Sequence, residues 1–183
     1  MRWIAIILML IAYLIARGII GSLGLGEDWL IGWAVCAVIM FFIVMIHEIG
    51  HAIVARRVGG DVHVIMVFPF QLDLRSRRFG LARTRHNGDV GGYVSYKLDR
   101  IGSSRKHVII AGAGPFANLA SAALVLGAMP SYPRTEAADL LGAVSAAFIV
   151  LSLGVGFANL LPFDGSDGSR ILHGLRSPSR SRR

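Results

Sequence analysis

Four long apolar runs, separated by short polar or glycine-rich connections, organise this chain. The first, over about residues 3–20, follows Arg2 and is crossed only by Arg17. No small-x-small cleavage site follows it, so it reads as a retained membrane helix in preference to a signal peptide. Gly18, Gly21, Gly24 and Gly26 then make a turn-like connection that carries Glu27 and Asp28. Trp29 and Trp33 suit the interface at the start of a second span, about 30–55, which closes on Arg56 and Arg57. A third span, about 107–129, is rich in small residues that permit close helix contact. Pro115 should kink it or open a gap in its hydrogen bonding. The loop 131–138 leads to a fourth span, about 140–161, stopped by Pro162. A short helix is expected from about Ser169, and 176–183 reads as a basic, disordered tail.

Between the second and third spans the period changes. Val62, Val64, Met66 and Phe68 alternate with other residues, which predicts a strand that Pro69 interrupts. Leu72, Asp73 and Leu74 can continue it up to a basic turn at Arg75, Arg77 and Arg78. His86-Asn87-Gly88-Asp89 is a turn signal, and 90–97 reads as another strand, opened by Gly91-Gly92. The expected fold is an α-helical polytopic membrane protein. It has about four transmembrane helices and a small β-hairpin or β-sheet insertion, about 60–98, between the second and third. Residues 1–175 would form a single integral-membrane domain.

Composition sharpens this. With 54% hydrophobic and 16% charged residues in 183, the chain is too apolar for an ordinary soluble domain. Its net charge of +8 comes without any signature of a nucleic-acid module, which excludes a nucleic-acid partner and leaves basic membrane loops. Eleven of the nineteen Lys and Arg residues lie from Arg56 to Lys106, and five more follow Pro162. The positive-inside rule therefore puts both termini and the β-region in the cytoplasm, in a bacterial-type plasma membrane. Cys36 is the only cysteine, so no intrachain disulfide forms, and its apolar surroundings make it a small core residue.

The chemistry concentrates near the end of the second span, in His47-Glu48-x-x-His51. On a helix the two histidines, four apart, share a face and can grip one zinc ion. Glu48 is then placed as general base toward a water. Ionisable groups in so apolar a segment are costly, which marks them as functional. His47 lies seventeen residues past Leu30, roughly 25 Å along a helix, inside a hydrocarbon core of about 30 Å near its cytoplasmic edge. Residues 112–118 and Asn159 should share that depth. A catalytic site needs a third protein ligand, and either Asp164 or Asp167 can turn back after Pro162; Asp167 is favoured slightly because it precedes the last helical stretch. His63, His86, His107 and His173 lack ligand spacing and read as surface or interface residues. The arginines of 75–85 read as a solvated or headgroup-facing edge.

Four features together resemble the site-2 protease family of intramembrane zinc metalloproteases. They are His47-Glu48-x-x-His51, Gly91-Gly92-Tyr93-Val94, Gly114-Pro115-x-x-Asn118, and Asn159-x-x-Pro162 followed by Asp-Gly. The resemblance runs from about Phe41 to Leu172. It implies one Zn²⁺ per chain, with the third ligand eight positions after the asparagine. That spacing selects Asp167 and leaves Asp164 beside the site or in the loop. It also implies that Asn159 positions substrate or stabilises the oxyanion. Asn118 reads equally as a substrate-positioning residue and as an interhelical hydrogen-bonding group. The partners implied are the lipid bilayer and, as substrate, a membrane-spanning or remnant signal-peptide helix. The chain reads as a minimal core with one leading helix and no PDZ domain. The competing reading is a non-proteolytic membrane protein, a metal-binding scaffold or partner-binding module.

Overall fold

The computed structural model describes residues 1–22, 29–82, 91–99, 103–129 and 136–176. Gly24 and Gly26 of the expected turn with Glu27 and Asp28, the His86–Asp89 turn, most of the 131–138 loop and the 177–183 tail lie outside the described residues. Gly18 lies inside the first helix and Gly21 caps its end in helical geometry, so that helix takes in the start of the expected connection. The element order is α1 (Arg2–Ile20), α2 (Trp29–Arg57), β1 (Asp61–Val67), β2 (Phe70–Asp73), β3 (Arg78–Leu81), β4 (Gly92–Lys97), α3 (Ser103–Ala128), α4 (Glu136–Leu160) and α5 (Asp167–Arg176). Helices α1 to α4 are each long and apolar enough to cross a membrane. The expected fold, four spans with a β-insertion between the second and third, is the one observed.

The bundle is inside-out relative to a soluble protein. Large apolar side chains face outward, as with Phe116 at 72% and Leu124 at 75% exposure, where lipid would meet them. The interior holds small residues and the polar groups. Ala16, Ile20, Cys36, Ile39, Ile43, Ala147, Leu151 and Val155 join α1, α2 and α4 in one cluster. A second cluster, Ala52, Ala55, Val62 and Ile110, seats β1 against α2 and α3. Where α2 crosses α3, a Cβ on Gly50 would stand 2.8 Å from the Ala113 carbonyl oxygen and 2.8 Å from the Ala117 Cβ. Glycine there lets the two backbones touch.

Helix α2 ends where Gly59 adopts a positive φ of 85° and the Gly60 N–H reaches back to the Ala55 carbonyl at 2.8 Å. That reversal, which a side chain would resist, sends the chain directly into β1. The sheet is antiparallel in the order β3-β2-β1-β4. It has more strands than the alternation of Val62 to Phe68 suggested. Pro69 turns the chain instead of merely interrupting it, so Phe70 pairs back with Val67 across a tight hairpin. Past the Arg75–Arg78 turn a further strand, β3, pairs with β2 and is exposed at every position. The turn is held by Asp73, whose Oδ1 accepts the backbone N–H groups of Arg75 at 2.9 Å and Ser76 at 3.0 Å. The N–H of Ser76, foremost, holds the Asp73 carboxyl below its usual range.

The last helix also starts earlier than Ser169. Ser166 caps it: its Oγ accepts the N–H of Ser169 at 3.1 Å and of Phe163 at 3.1 Å, and donates to the Leu161 carbonyl at 2.6 Å. Asp167 thus becomes the first residue of α5, where a carboxylate meets the positive end of the helix dipole.

Candidate metal centre

Three side chains from two distant parts of the chain converge in the buried interior. His47 and His51 come from one face of α2, one helical turn apart, and Asp167 comes from the start of α5. Their facing atoms form a tight triangle. His47 Nε2 lies 3.0 Å from Asp167 Oδ2, His51 Nε2 lies 3.2 Å from the same oxygen, and the two Nε2 atoms are 3.1 Å apart. All three residues are buried. Asp164, the alternative third ligand, is exposed and lies outside this group.

The donor set fits a metal ion. Nitrogen and oxygen donors about 2.0–2.1 Å from a tetrahedral zinc stand about 3.3 Å from one another, close to the triangle's sides. His51 Nδ1–H donates to the Ile110 carbonyl at 2.7 Å, so a neutral His51 directs an Nε2 lone pair at the triangle. That lone pair faces a carboxylate oxygen, and two acceptors stay so close only with a proton or cation between them. Space is reserved too. A Cβ on Gly114 would stand 2.6 Å from His47 Nε2 and in still closer contact with His51 Nε2. Glycine on α3 keeps the region against both nitrogens clear.

Charge around Asp167 is arranged on both its oxygens. Oδ2 faces the histidines, while Oδ1 lies 3.7 Å from the Arg170 guanidinium. Burial opposes ionisation of Asp167, but the imidazoles of His47 and His51 outweigh it and hold the pKa down to about 2. The carboxylate is therefore available as an anionic ligand throughout the physiological range.

Glu48 is buried beside the pair and packs against β4. A Cβ on Gly92 would stand 2.7 Å from Glu48 Cγ and 2.8 Å from Oε1, so the glycine admits the carboxylate to the edge of the sheet. Asn118 is joined to the cluster: its Nδ2 lies 3.1 Å from His47 Nδ1. Asn159 is half-buried at the end of α4, and its Nδ2 donates to the Val155 carbonyl of its own helix at 3.1 Å. Of the other histidines, His63 is buried at a bulge in β1 and His107 pairs with Tyr96 Oη at 3.1 Å.

For three residues that shape this site, the sequence reading did not give the role. Gly92 and Gly114 stood there as parts of motifs, and what they do, leaving room, shows only in the packing. Ser166 did leave a signal: a serine three residues before another polar residue, just ahead of a helical stretch, is an N-cap pattern.

A model of Peptidase family M50 matches residues 35–133, more than half of the chain. The matched stretch carries His47, Glu48, His51, Gly92, Gly114 and Asn118 and ends before Asn159 and Asp167. No curated protein and no solved structure matches the chain.

Proposed function

The chain belongs to peptidase family M50, the site-2 protease family, and is an integral-membrane metallopeptidase; we propose that it is an intramembrane zinc endopeptidase that cuts membrane-spanning or remnant signal-peptide helices. The observation that carries this reading is the buried His47–His51–Asp167 triangle, set within the bundle beside an acidic residue. His47, His51 and Asp167 would hold one Zn²⁺. When bound, the ion would supply Lewis acidity, acidifying a water and polarising the scissile carbonyl.

The remaining work falls to the chain's own groups. Glu48 accepts the proton of the attacking water as the C–O bond forms, and then delivers it to the leaving amine as the C–N bond breaks. Its placement against Gly92 supports this role, because β4 brings a peptide backbone beside the carboxylate. A substrate helix must unwind to present a peptide bond, since its N–H and C=O groups are otherwise engaged within the helix. Sheet pairing could satisfy the freed groups as an added strand. Asn159, at the end of α4, would act on the substrate or on the developing oxyanion.

Orientation follows from charge. The basic β-region and the C-terminal segment are assigned to the cytoplasm, with both termini, and the site lies near the cytoplasmic edge of the bilayer. Residues 1–175 act as one catalytic unit.

The test is Glu48→Gln. It should lower cleavage of a single-span reporter by about 10²–10⁴-fold while leaving zinc content and helicity near wild type. A variant as active as wild type would refute the protease mechanism. The same pair compared across membrane proteomes would reveal the substrates, as single-span proteins that accumulate uncut.

A further inference from the structure

The two histidines of the cluster are held differently. His51 Nδ1 faces a backbone carbonyl, that of Ile110, which can only accept. His47 Nδ1 faces the side-chain amide of Asn118 at 3.1 Å. An amide can present either end to a ring nitrogen, and the two ends demand opposite tautomers of His47.

In the structure the NH₂ end of Asn118 faces His47. An N–H donated to Nδ1 requires the His47 proton on Nε2, where it is donated to Asp167 Oδ2 at 3.0 Å. That arrangement pairs His47 with Asp167 without a metal, but it leaves no lone pair on Nε2 for one. The other end of the amide, Asn118 Oδ1, is buried and has no hydrogen-bond partner among the described residues. Elsewhere Asn118 is pinned. Its backbone carbonyl accepts from Ser121 Oγ at 2.9 Å and from Ser152 Oγ at 3.1 Å. Rotation about the terminal torsion of its side chain turns the amide over in place, and such torsions are broad and nearly two-fold.

We propose that Asn118 is the positioning residue that sets the His47 tautomer: turned over, its Oδ1 accepts the His47 Nδ1–H and directs the Nε2 lone pair to the metal. The inference rests on the metal reading given above. It assigns Asn118 to the metal centre rather than to substrate or to helix association alone. It also explains why a buried amide carries an unpartnered oxygen beside a ligand: that oxygen has its partner in the metal-loaded state.

The test uses zinc or cobalt affinity, measured by chelator competition, with ¹⁵N spectra of the His47 ring. Asn118→Leu, with the same branching, removes the acceptor and should weaken metal binding about 10–100-fold. Asn118→Asp keeps an acceptor at Nδ1 and should bind metal within a few-fold of wild type; because it also keeps the shape, the ¹⁵N spectra are what separate setting the tautomer from packing. In zinc-loaded wild type, His47 should be protonated on Nδ1. Unchanged affinity in Asn118→Leu would overturn the proposal while leaving the metal reading intact. So would zinc-loaded wild type with His47 protonated on Nε2, a result that does not depend on any variant folding. Wild type that takes up neither metal would overturn the metal reading and the proposal together.

Discussion

At the scale of single residues, the site is defined as much by missing side chains as by present ones. Gly114 shows this most directly. Its absent Cβ would crowd both His47 Nε2 and His51 Nε2. Gly114→Ala should therefore block metal uptake, by at least 100-fold in affinity, while the protein still folds. Alanine is about 1 kcal/mol better than glycine inside a helix, which offsets the shift forced on the rings. Zinc content of the purified variant, read beside its circular dichroism, checks this; full zinc occupancy would show that the room above the nitrogens is not needed. His47 and His51 were legible as a pair because their spacing encodes geometry: they must share a helical face. Gly92 and Gly114 were legible only as parts of motifs, because a residue whose function is to leave space has no chemical signature. The opposite case is Asn118, visible as a polar group among small residues but with its partner hidden until α2 and α3 were packed.

At the scale of elements, α5 carries Asp167, the proposed third ligand that the second span does not supply. Its start is fixed by Ser166, and its approach to α4 by Gly168, where a Cβ would collide with the Leu160 carbonyl. The sequence reading began this helix at about Ser169, whereas the observed helix takes in Gly168, a poor helix former by composition. Tertiary packing and the serine cap override that composition. Ser166→Ala should cost about 1 kcal/mol of stability and also loosen Asp167, which follows it directly. Zinc affinity should fall with thermal stability in this variant, whereas loss of stability with unchanged affinity would mean that Asp167 is positioned by its contacts with the histidines alone. The β-region shows the reverse weakness. Arg78–Leu81 pairs with β2 yet buries none of its positions, so no alternation of burial existed for a periodicity argument to detect.

At the scale of the whole molecule, charge and hydropathy make a joint claim that packing alone does not. The bundle puts the C-terminal end of α2, the start of α3, the end of α4 and the sheet at one end, through the His51–Ile110 and His47–Asp167 contacts. Most of the described basic residues belong to that end, and the proposed cytoplasmic assignment rests on the number of basic residues in the sequence rather than on any one of them. The single cysteine makes this testable. Cys36 is fully buried, so Cys36→Ala gives a background without thiols at the price of a small core change. Into it, Arg78→Cys places a thiol at the exposed start of β3, and Ala128→Cys places one at the opposite, exposed end of α3. A membrane-impermeant maleimide applied to intact cells should label Ala128→Cys and spare Arg78→Cys, and inverted membrane vesicles should reverse the pattern. The reverse outcome in both preparations would put the metal centre near the outer edge of the bilayer, and with it any fragment released by cleavage on the other side of the membrane. Because the sheet, α5 and the histidine face of α2 are tied into one packed unit, the two thiols report the side of the catalytic centre and not merely of two loops.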